Sequence, residues 1–285
     1  MAEEILINVT PREVRIAFLE NGILQDIHIE RNQQQGIIGN IYKGKVNRLL
    51  PGIQAAFIDI GLERAAFLHV KDVMDDARDA DIRDVLHPGQ ELLVQVYKDP
   101  LGTKGARLTT QFSIPARYIV FTPQNKQILV SQKITAENER ARLLTLIRSA
   151  EQGGYIFRTA AIGATQEQID ADKAFLQNLW MDITARAKQV KAGEVVFTEI
   201  PLVLRILRDL DRFAVQRIRV DALSVAMQMR EFAEQYIPEL ASRIEFFAEA
   251  RPIFNIHGVE DELQKALQRR INMQSGGHLI FDQTE

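Results

Sequence analysis

Asn40–Val70 reads NIYKGKVNRLLPGIQAAFIDIGLERAAFLHV, and the alternation inside it decides the fold. Successive side chains of a strand face opposite sides, so every second residue shares a face. In QAAFIDIG this puts Ala56, Ile58 and Ile60 on one face and Ala55, Phe57 and Asp59 on the other. Asp59 belongs in water, so Phe57 is expected outside with it. In AAFLHV the same parity turns Ala66, Leu68 and Val70 inward and Phe67 and His69 outward. In IYKGKVN, Lys43, Lys45 and Asn47 lie opposite Tyr42, Gly44 and Val46. The pattern predicts a small twisted sheet with two aromatic rings and a Lys-x-Lys strand on its wet face. Single-stranded nucleic acid needs such a face, because bases stack on rings while lysines meet phosphates. The alternative, in which both rings are core and the lysines only solvated, stays open on this pattern alone.

Composition sets outer bounds. The 285 residues, 46% of them hydrophobic, suffice for two or three small units with real cores. The net charge of −3 advertises no polyanion partner, so nucleic-acid binding has to come from local patches. The absence of cysteine excludes disulfides, thiolate metal sites and a cysteine nucleophile. No signal-like segment and no apolar run long enough to span a bilayer is present, so the reading is a soluble, cytoplasmic chain with no membrane partner.

Outward from the central stretch, Glu4–Glu30 reads as three strands, EILINVT, EVRIAFLE and ILQDIHIE, with Asn21-Gly22 as a type I′ hairpin signal. Three strands cannot bury their apolar face alone, so a later segment has to complete the sheet. Arg31–Gly36 is a polar linker. Asp75, Asp76, Asp79 and Asp81 lie in an acidic loop that lacks the glycine and terminal glutamate of a calcium loop, and read as a solvated charge run. In DPLGTKGARLTT two glycines and Lys104 could approach an anion, although many turns look alike. RYIVFTP, QILVSQKI and YIFRTAA read as strands, and helices are expected over 137–150 and 166–188. Ile169, Leu176, Leu179 and Ile183 keep helical spacing on the second, and Trp180 is expected to pack rather than bind. Parity in YIFRTAA sets Arg158 with Ile156 and Thr159 with Tyr155 and Phe157. Beyond Pro201, PLVLRILRDL reads as a helix, QRIRVD as a strand, and 222–234 and 259–270 as amphipathic helices. In the last of these, acids at the start and cations at the end suit the helix dipole and need no catalytic account. INMQSGGHLIFDQTE reads as a strand, a Gly-Gly turn and part of another strand.

Several stretches carry a resemblance. NIYKGKV, the Pro-Gly turn, AAFIDIG and AAFLHV resemble an S1 RNA-binding domain, a five-stranded OB barrel. INVTPREVRIAFLENGILQDIHIERN, GIIGNIYKGKV, KDPLGTKGARLTT, GGYIFRTAA and SGGHLIFDQTE together resemble the N-terminal half of the RNase E/G family, nearest its G-type branch. The resemblance covers essentially the whole chain. It implies an α+β chain: a split RNase H-like subdomain with an inserted S1-type OB barrel and a 5′-sensor subdomain. The implied divisions are 1–36 (RNase H-like, first part), 37–110 (S1 barrel), 111–200 (5′-sensor), 201–270 (RNase H-like, second part) and 271–285 (start of a deoxyribonuclease I-like catalytic subdomain).

The implied activity is a magnesium-dependent endoribonuclease cutting single-stranded RNA, preferably with a 5′-monophosphate, in rRNA maturation and mRNA turnover. Phe57 and Phe67 match the family's base-stacking pair and Lys104 an RNA-contacting lysine; Lys43 and Lys45 are added from parity alone. Arg158 and Thr159 match the pair that holds the 5′-phosphate, and the Ile119 amide matches a third contact. One branch of the family has an arginine where this chain has Gln132, leaving Lys133 as the candidate substitute. A further pocket residue, the two catalytic aspartates that hold Mg2+, and a cysteine pair that shares zinc between subunits have no match up to residue 285. Asp282 matches neither aspartate, and the strand reading of the first segment offers Asn8 where RNase H chemistry needs an acid. The chain is therefore expected to bind RNA without cutting it, to hold no metal itself, and to come from a homo-oligomeric parent. An ending inside a strand just after a turn is expected of a truncated chain. The rivals are a stand-alone non-catalytic S1-type RNA-binding module and an OB-type scaffold that binds protein.

Overall fold

The computed structural model describes residues 4–31, 36–73, 80–147, 152–210, 215–273 and 275–283. Strands β1 (Glu4–Val9), β2 (Glu13–Glu20) and β3 (Ile23–Arg31) are followed by β4 (Ile41–Leu50), β5 (Ala55–Asp59) and β6 (Ala66–His69). Then come helix α1 (Ile82–Val85) and strands β7 (Glu91–Lys98), β8 (Arg107–Thr109), β9 (Ile114–Pro115), β10 (Ile119–Thr122) and β11 (Ile128–Val130). Helix α2 (Glu137–Leu146), β12 (Gly154–Phe157), the long helix α3 (Gln166–Ala187) and β13 (Val195–Phe197) complete the middle of the chain. The last part holds α4 (Leu202–Asp209), β14 (Arg217–Val220), α5 (Leu223–Tyr236), α6 (Pro238–Ala241), β15 (Ile244–Phe246), α7 (Ile253–Ile256) and α8 (Val259–Ala266). It closes with the hairpin of β16 (Arg270–Asn272) and β17 (His278–Ile280). The content is mixed α and β, divided into two units: Met1–Gln35 with Pro201–Glu285, and Gly36–Ile200.

In the first unit the sheet order is β15-β14-β1-β2-β3. The β2–β3 turn is the expected hairpin, with Asn21 and Gly22 at φ 52° and 75°. β1 pairs antiparallel with β2 and parallel with β14, which places it at the sheet's centre. Ile5, Leu6 and Ile7 are all buried there, as a strand covered on both faces requires. Leu6, Ala17 and Leu19 pack on Ile253, Phe254 and Val259 of α7 and α8. The missing cover for the first three strands thus comes from Ile253, Phe254 and Val259, far along the chain.

In the second unit β4-β5-β6-β8-β7 close into a five-stranded barrel through the β4–β7 pairing, with β6 and β8 parallel. Its interior holds Val46, Ala56, Ile58, Ile60, Ala66, Leu68, Val94, Val96 and Leu108. Gly44 is required inside: a Cβ there would lie 2.5 Å from the Ile58 side chain. A second sheet, β11-β12-β10-β9, is covered by α3, whose start carries a reciprocal capping box between Thr165 and Gln168. Ile169, Leu176 and Ile183 form its buried face, and Trp180 packs 5.1 Å from Phe112, centroid to centroid. From this layer β13 returns to pair antiparallel with β4, adding a strand beside the barrel.

Several sequence expectations are corrected. YIFRTAA is not one strand: β12 stops at Phe157, and Thr159–Ala161 turn in a 3-10 helix closed by Ala161 N–H donating to the Arg158 carbonyl at 3.0 Å. Thr159 is therefore exposed, while its expected neighbours Tyr155 and Phe157 are buried. Ala55, expected outside, is buried at the barrel's end between Leu50 and His69, where its small side chain is covered. The helix expected to reach residue 270 ends at Ala266, because Arg270 is taken into the β16–β17 hairpin. β15 was unread; it completes the sheet by pairing parallel with β14. Of the helix expected over 137–150, residues 148–150 lie outside the described residues, as do Asp75, Asp76 and Asp79 of the acidic loop. Asp81, which is described, caps α1 and binds the Arg83 guanidinium at 2.6 and 3.0 Å.

Candidate nucleic-acid interface

The outer face of the barrel carries one row of four side chains. Phe57 on β5 lies directly across from Phe67 on β6, their rings edge-to-face with centroids 6.3 Å apart. On the far side of Phe57, β4 contributes Arg48; on the far side of Phe67, β8 contributes Arg107. Each guanidinium carbon stands 5.7 Å from the neighbouring ring's centroid, within cation–π range. Cation, ring, ring, cation thus span four strands, roughly 15 Å at the usual strand spacing. Both phenylalanines are half-buried and both arginines exposed, while the residues beside the rings, Ala56, Ile58, Ala66 and Leu68, are fully enclosed. The parity reading of the two rings holds. Both arginines escaped it, for different reasons. Strict alternation brings Asn47 opposite Phe57, but a bulge between Val46 and Arg48 shifts the register by one and substitutes Arg48. Arg107 was legible, since Leu108 beside it is an obvious interior residue.

The three lysines are placed differently. Lys45 is exposed on the ring face, opposite Asp59 and Glu91. Lys43 is half-buried and committed: its Nζ donates to the Val190 carbonyl at 3.1 Å and pairs with Glu91 at 3.2 Å. Lys104 is exposed in the β7–β8 turn, closed by mutual backbone hydrogen bonds between Leu101 and Lys104 at 2.9 and 3.1 Å. Arg64 donates to the Gly102 carbonyl in the same turn. Gly105 lets the turn seat itself, because a Cβ there would lie 2.1 Å from the Ala65 carbonyl oxygen.

The residues read as a 5′-phosphate pocket meet at one end of β10 and β12, the two central strands of the second sheet. Arg158 follows β12; its amide donates to the Tyr118 carbonyl at 2.8 Å and its Nη1 to the Ala116 carbonyl at 2.7 Å. Thr159 is the next residue, exposed. The turn after β11 that holds Gln132 and Lys133 is brought alongside by Ser131 N–H donating to the Phe157 carbonyl at 2.9 Å. The Ile119 amide lies across from Phe157, and it is already engaged. Asp172 of α3 accepts from the Tyr118 amide at 2.7 Å and the Ile119 amide at 3.4 Å. Burial pushes the Asp172 carboxyl up to about 6, against those two hydrogen bonds and the charges of Arg117 and Arg158. Asp172 went unnoticed in the sequence, where an acid on a helix surface carries no signal.

Two further positions close the inventory. Asn8 sits in a structural network: it donates to Asp221 at 2.5 Å and accepts from Arg15 at 2.7 and 2.9 Å, while Arg15 also pairs with Glu260 at 2.7 Å. Asp282 is held by Arg269 at 2.6 and 3.0 Å. Among the described residues no group of three or more histidine, aspartate or glutamate side chains converges as a metal ion requires. The described donors therefore do not fit a catalytic magnesium.

A closed barrel with this ring face is an RNA-binding barrel of the S1 type: residues 37–110 match the S1 RNA binding domain. Residues 113–285 match the Ribonuclease E/G family, and the chain belongs to that family. It is 47% identical to Ribonuclease G of Salmonella typhimurium (strain SL1344) and 46% identical to Ribonuclease G of Escherichia coli (strain K12), in each case over 100% of this chain and 61% of the relative. Ribonuclease E of Escherichia coli (strain K12) is 32% identical over 99% of this chain and 28% of its own length. The chain thus spans about three-fifths of the Ribonuclease G relatives. No helix among the described residues is long and apolar enough to cross a membrane.

Proposed function

We propose that this chain is the RNA-binding and 5′-monophosphate-sensing part of an RNase G-like endoribonuclease that acts on single-stranded RNA in rRNA maturation and mRNA turnover. The observation that carries the reading is the Arg48–Phe57–Phe67–Arg107 row. Two rings offer faces to successive bases without regard to sequence, and the flanking guanidinium groups lie where the backbone phosphates enter and leave. Lys45 and Lys104 extend the cationic surface. Lys43 acts structurally, through Glu91 and Val190. Arg158, Thr159 and the Ile119 amide form the seat for a 5′-phosphate: guanidinium supplies a planar donor fork, and hydroxyl and amide add single donors.

The division into subdomains follows the same reading. Residues 37–110 are the barrel, 111–200 the 5′-sensor, and 1–36 with 201–270 the RNase H-like scaffold. Support for the split comes from β1, begun at Glu4 and completed by β14 at Arg217. Residues 271–285 begin the catalytic subdomain, and cleavage with Mg2+ belongs to the longer, oligomeric, cytoplasmic protein. This chain alone binds RNA and leaves it intact.

The test is anisotropy of two labelled single-stranded RNAs, identical except for a 5′-monophosphate or a 5′-hydroxyl. Binding of both, tighter for the monophosphate, is the expected result, with loss of the difference in Arg158→Ala and Thr159→Val. Equal losses on both RNAs would sink the sensor assignment. Binding of neither would favour the protein-scaffold alternative.

A further inference from the structure

The Arg158 pocket contains an anion of its own. The Oδ2 atom of Asp172 holds the Tyr118 amide at an ordinary 2.7 Å and the Ile119 amide only at 3.4 Å, the outer limit of a hydrogen bond. The backbone strap 116–119 is thus gripped from two sides: Arg158 takes its carbonyls, Asp172 its amides. The charged groups that face Asp172 from the neighbouring elements are Arg117 and Arg158. On its own helix, Asp170 accepts from Gln166 at 3.1 Å, and the Lys173 ammonium lies 5.9 Å from the Tyr155 ring centroid. Burial outweighs both arginines and brings the Asp172 carboxyl up to about 6, within reach of titration near neutrality.

We infer that Asp172 is a specificity-determining residue of this pocket: its carboxylate occupies the amides while the seat is empty and takes up a proton from solvent when a 5′-phosphate enters. The inference rests on the reading of Arg158 and Thr159 as the phosphate seat. Two anions facing one set of donors cannot both stay fully charged, and the phosphate keeps the Arg158 guanidinium and the Thr159 hydroxyl, so the buried carboxyl is the one that yields. A protonated Asp172 keeps one oxygen to accept from Tyr118 and gains an O–H that donates to the phosphate. One proton moves from solvent to the carboxylate on binding and returns on release. Through linkage, affinity for the phosphorylated end then rises as pH falls towards 6. A 5′-hydroxyl end makes no such demand. The phosphate's own second ionisation falls in the same range and is coupled to that of Asp172, so the proton count is read beside a 13C carboxyl titration, which places the proton on Asp172 or on the phosphate.

The experiment is isothermal titration calorimetry of the whole chain with short 5′-monophosphate or 5′-hydroxyl single-stranded RNA, in buffers of differing ionisation enthalpy, for wild type and Asp172→Asn. Asparagine retains an accepting oxygen and cannot titrate. Wild type is expected to take up more protons than the variant, with monophosphate RNA only. From pH 7.5 to 6 the wild type's preference for monophosphate should rise by roughly three- to tenfold relative to the variant's. Should the variant fold poorly, a 13C carboxyl titration of wild type gives the same information, the Asp172 midpoint moving upward when monophosphate RNA is bound. Equal proton counts, or an unmoved midpoint, alongside a real preference for monophosphate would overturn the inference and leave the pocket reading standing. No preference at any pH would overturn both.

Discussion

Phe57 and Phe67 remain half-buried beside residues that are wholly enclosed, because the strand's period gives one face to the barrel interior and the other to solvent. Ring truncation on that outer face removes a stacking surface but no core volume. Phe57→Ala and Phe67→Ala are each expected to weaken single-stranded RNA binding by about 1–3 kcal/mol, with the thermal transition of the chain little changed. A large drop in melting temperature would mean that the rings are core. The arginines of the same row make a separate prediction. Arg48→Ala, Arg107→Ala and Lys104→Ala should each reduce the slope of log affinity against log salt by roughly 0.7, the single-strand value per phosphate contact. Lys43→Met should leave that slope unchanged and cost the barrel on the order of 1 kcal/mol, since Lys43 already serves Glu91 and the Val190 carbonyl. Anisotropy across a salt series, read beside urea unfolding, distinguishes the two classes. Parity alone found the rings. It did not foresee the Val190 and Glu91 partners of Lys43, because parity says nothing about a segment that later packs beside the strand, and it missed Arg48, because a bulge has no signature in alternation.

At the scale of elements, the contact between α3 and β10 is where a helix signal and a charge meet. The helix itself was plain in the sequence: Ile169, Leu176, Leu179 and Ile183 keep helical spacing, and Ile169, Leu176 and Ile183 are buried. What α3 does with Asp172 depends on the strap 116–119 lying beside it, a long-range juxtaposition that no local pattern encodes. Its consequence for stability has a definite sign. An aspartate that titrates near 3.8 when unfolded and near 6 when folded binds its proton more tightly in the native state. That contribution is fully present below about pH 4 and is lost as pH rises through about 6, amounting to on the order of 2–3 kcal/mol. Urea unfolding at pH 4.5 and 7.5 should therefore show Asp172→Asn gaining on the wild type as pH rises. A constant difference between the two would remove Asp172 as the titrating group. Glu139, held down to about 2 by its hydrogen bonds with Arg142, acts below this window and does not confuse the reading. The early end of β12 was illegible for the same reason as the strap: YIFRTAA has strand composition throughout, and only the 3-10 turn leading to Gly163, at φ 70°, takes Thr159 off the sheet.

For the whole molecule, the division into Gly36–Ile200 and the two flanking segments raises the question of whether each unit can stand alone. The hydrogen bonds of the inserted unit answer for it. Its two ends are clasped together, Glu199 N–H donating to Asn40 Oδ1 at 2.9 Å, and β13 pairs with β4, so entry and exit meet on one side. Inside it, the barrel meets the turn between α3 and β13 where a Cβ on Gly61 would lie 2.1 Å from the Gly193 carbonyl oxygen, a contact only glycine permits at φ 78°. The flanking unit is clasped in turn by Arg205 and Glu30 at 3.3 Å, so the end of β3 and the start of α4 also lie close together. Adjacent ends are what insertion of one folded unit into another requires. Excised 36–200 is therefore expected to unfold in one cooperative urea transition and to bind single-stranded RNA within about 0.5 kcal/mol of the full chain, as independent units do. Gly61→Ala should lower that one transition rather than split it. A chain in which a short Gly-Ser linker replaces 36–200 should keep the β15-β14-β1-β2-β3 sheet, whereas deletion of residues 1–31 should unfold the remainder of that unit, since β14 loses β1, its neighbour on one side. Two separate transitions in excised 36–200 would show that barrel and second sheet unfold independently of one another.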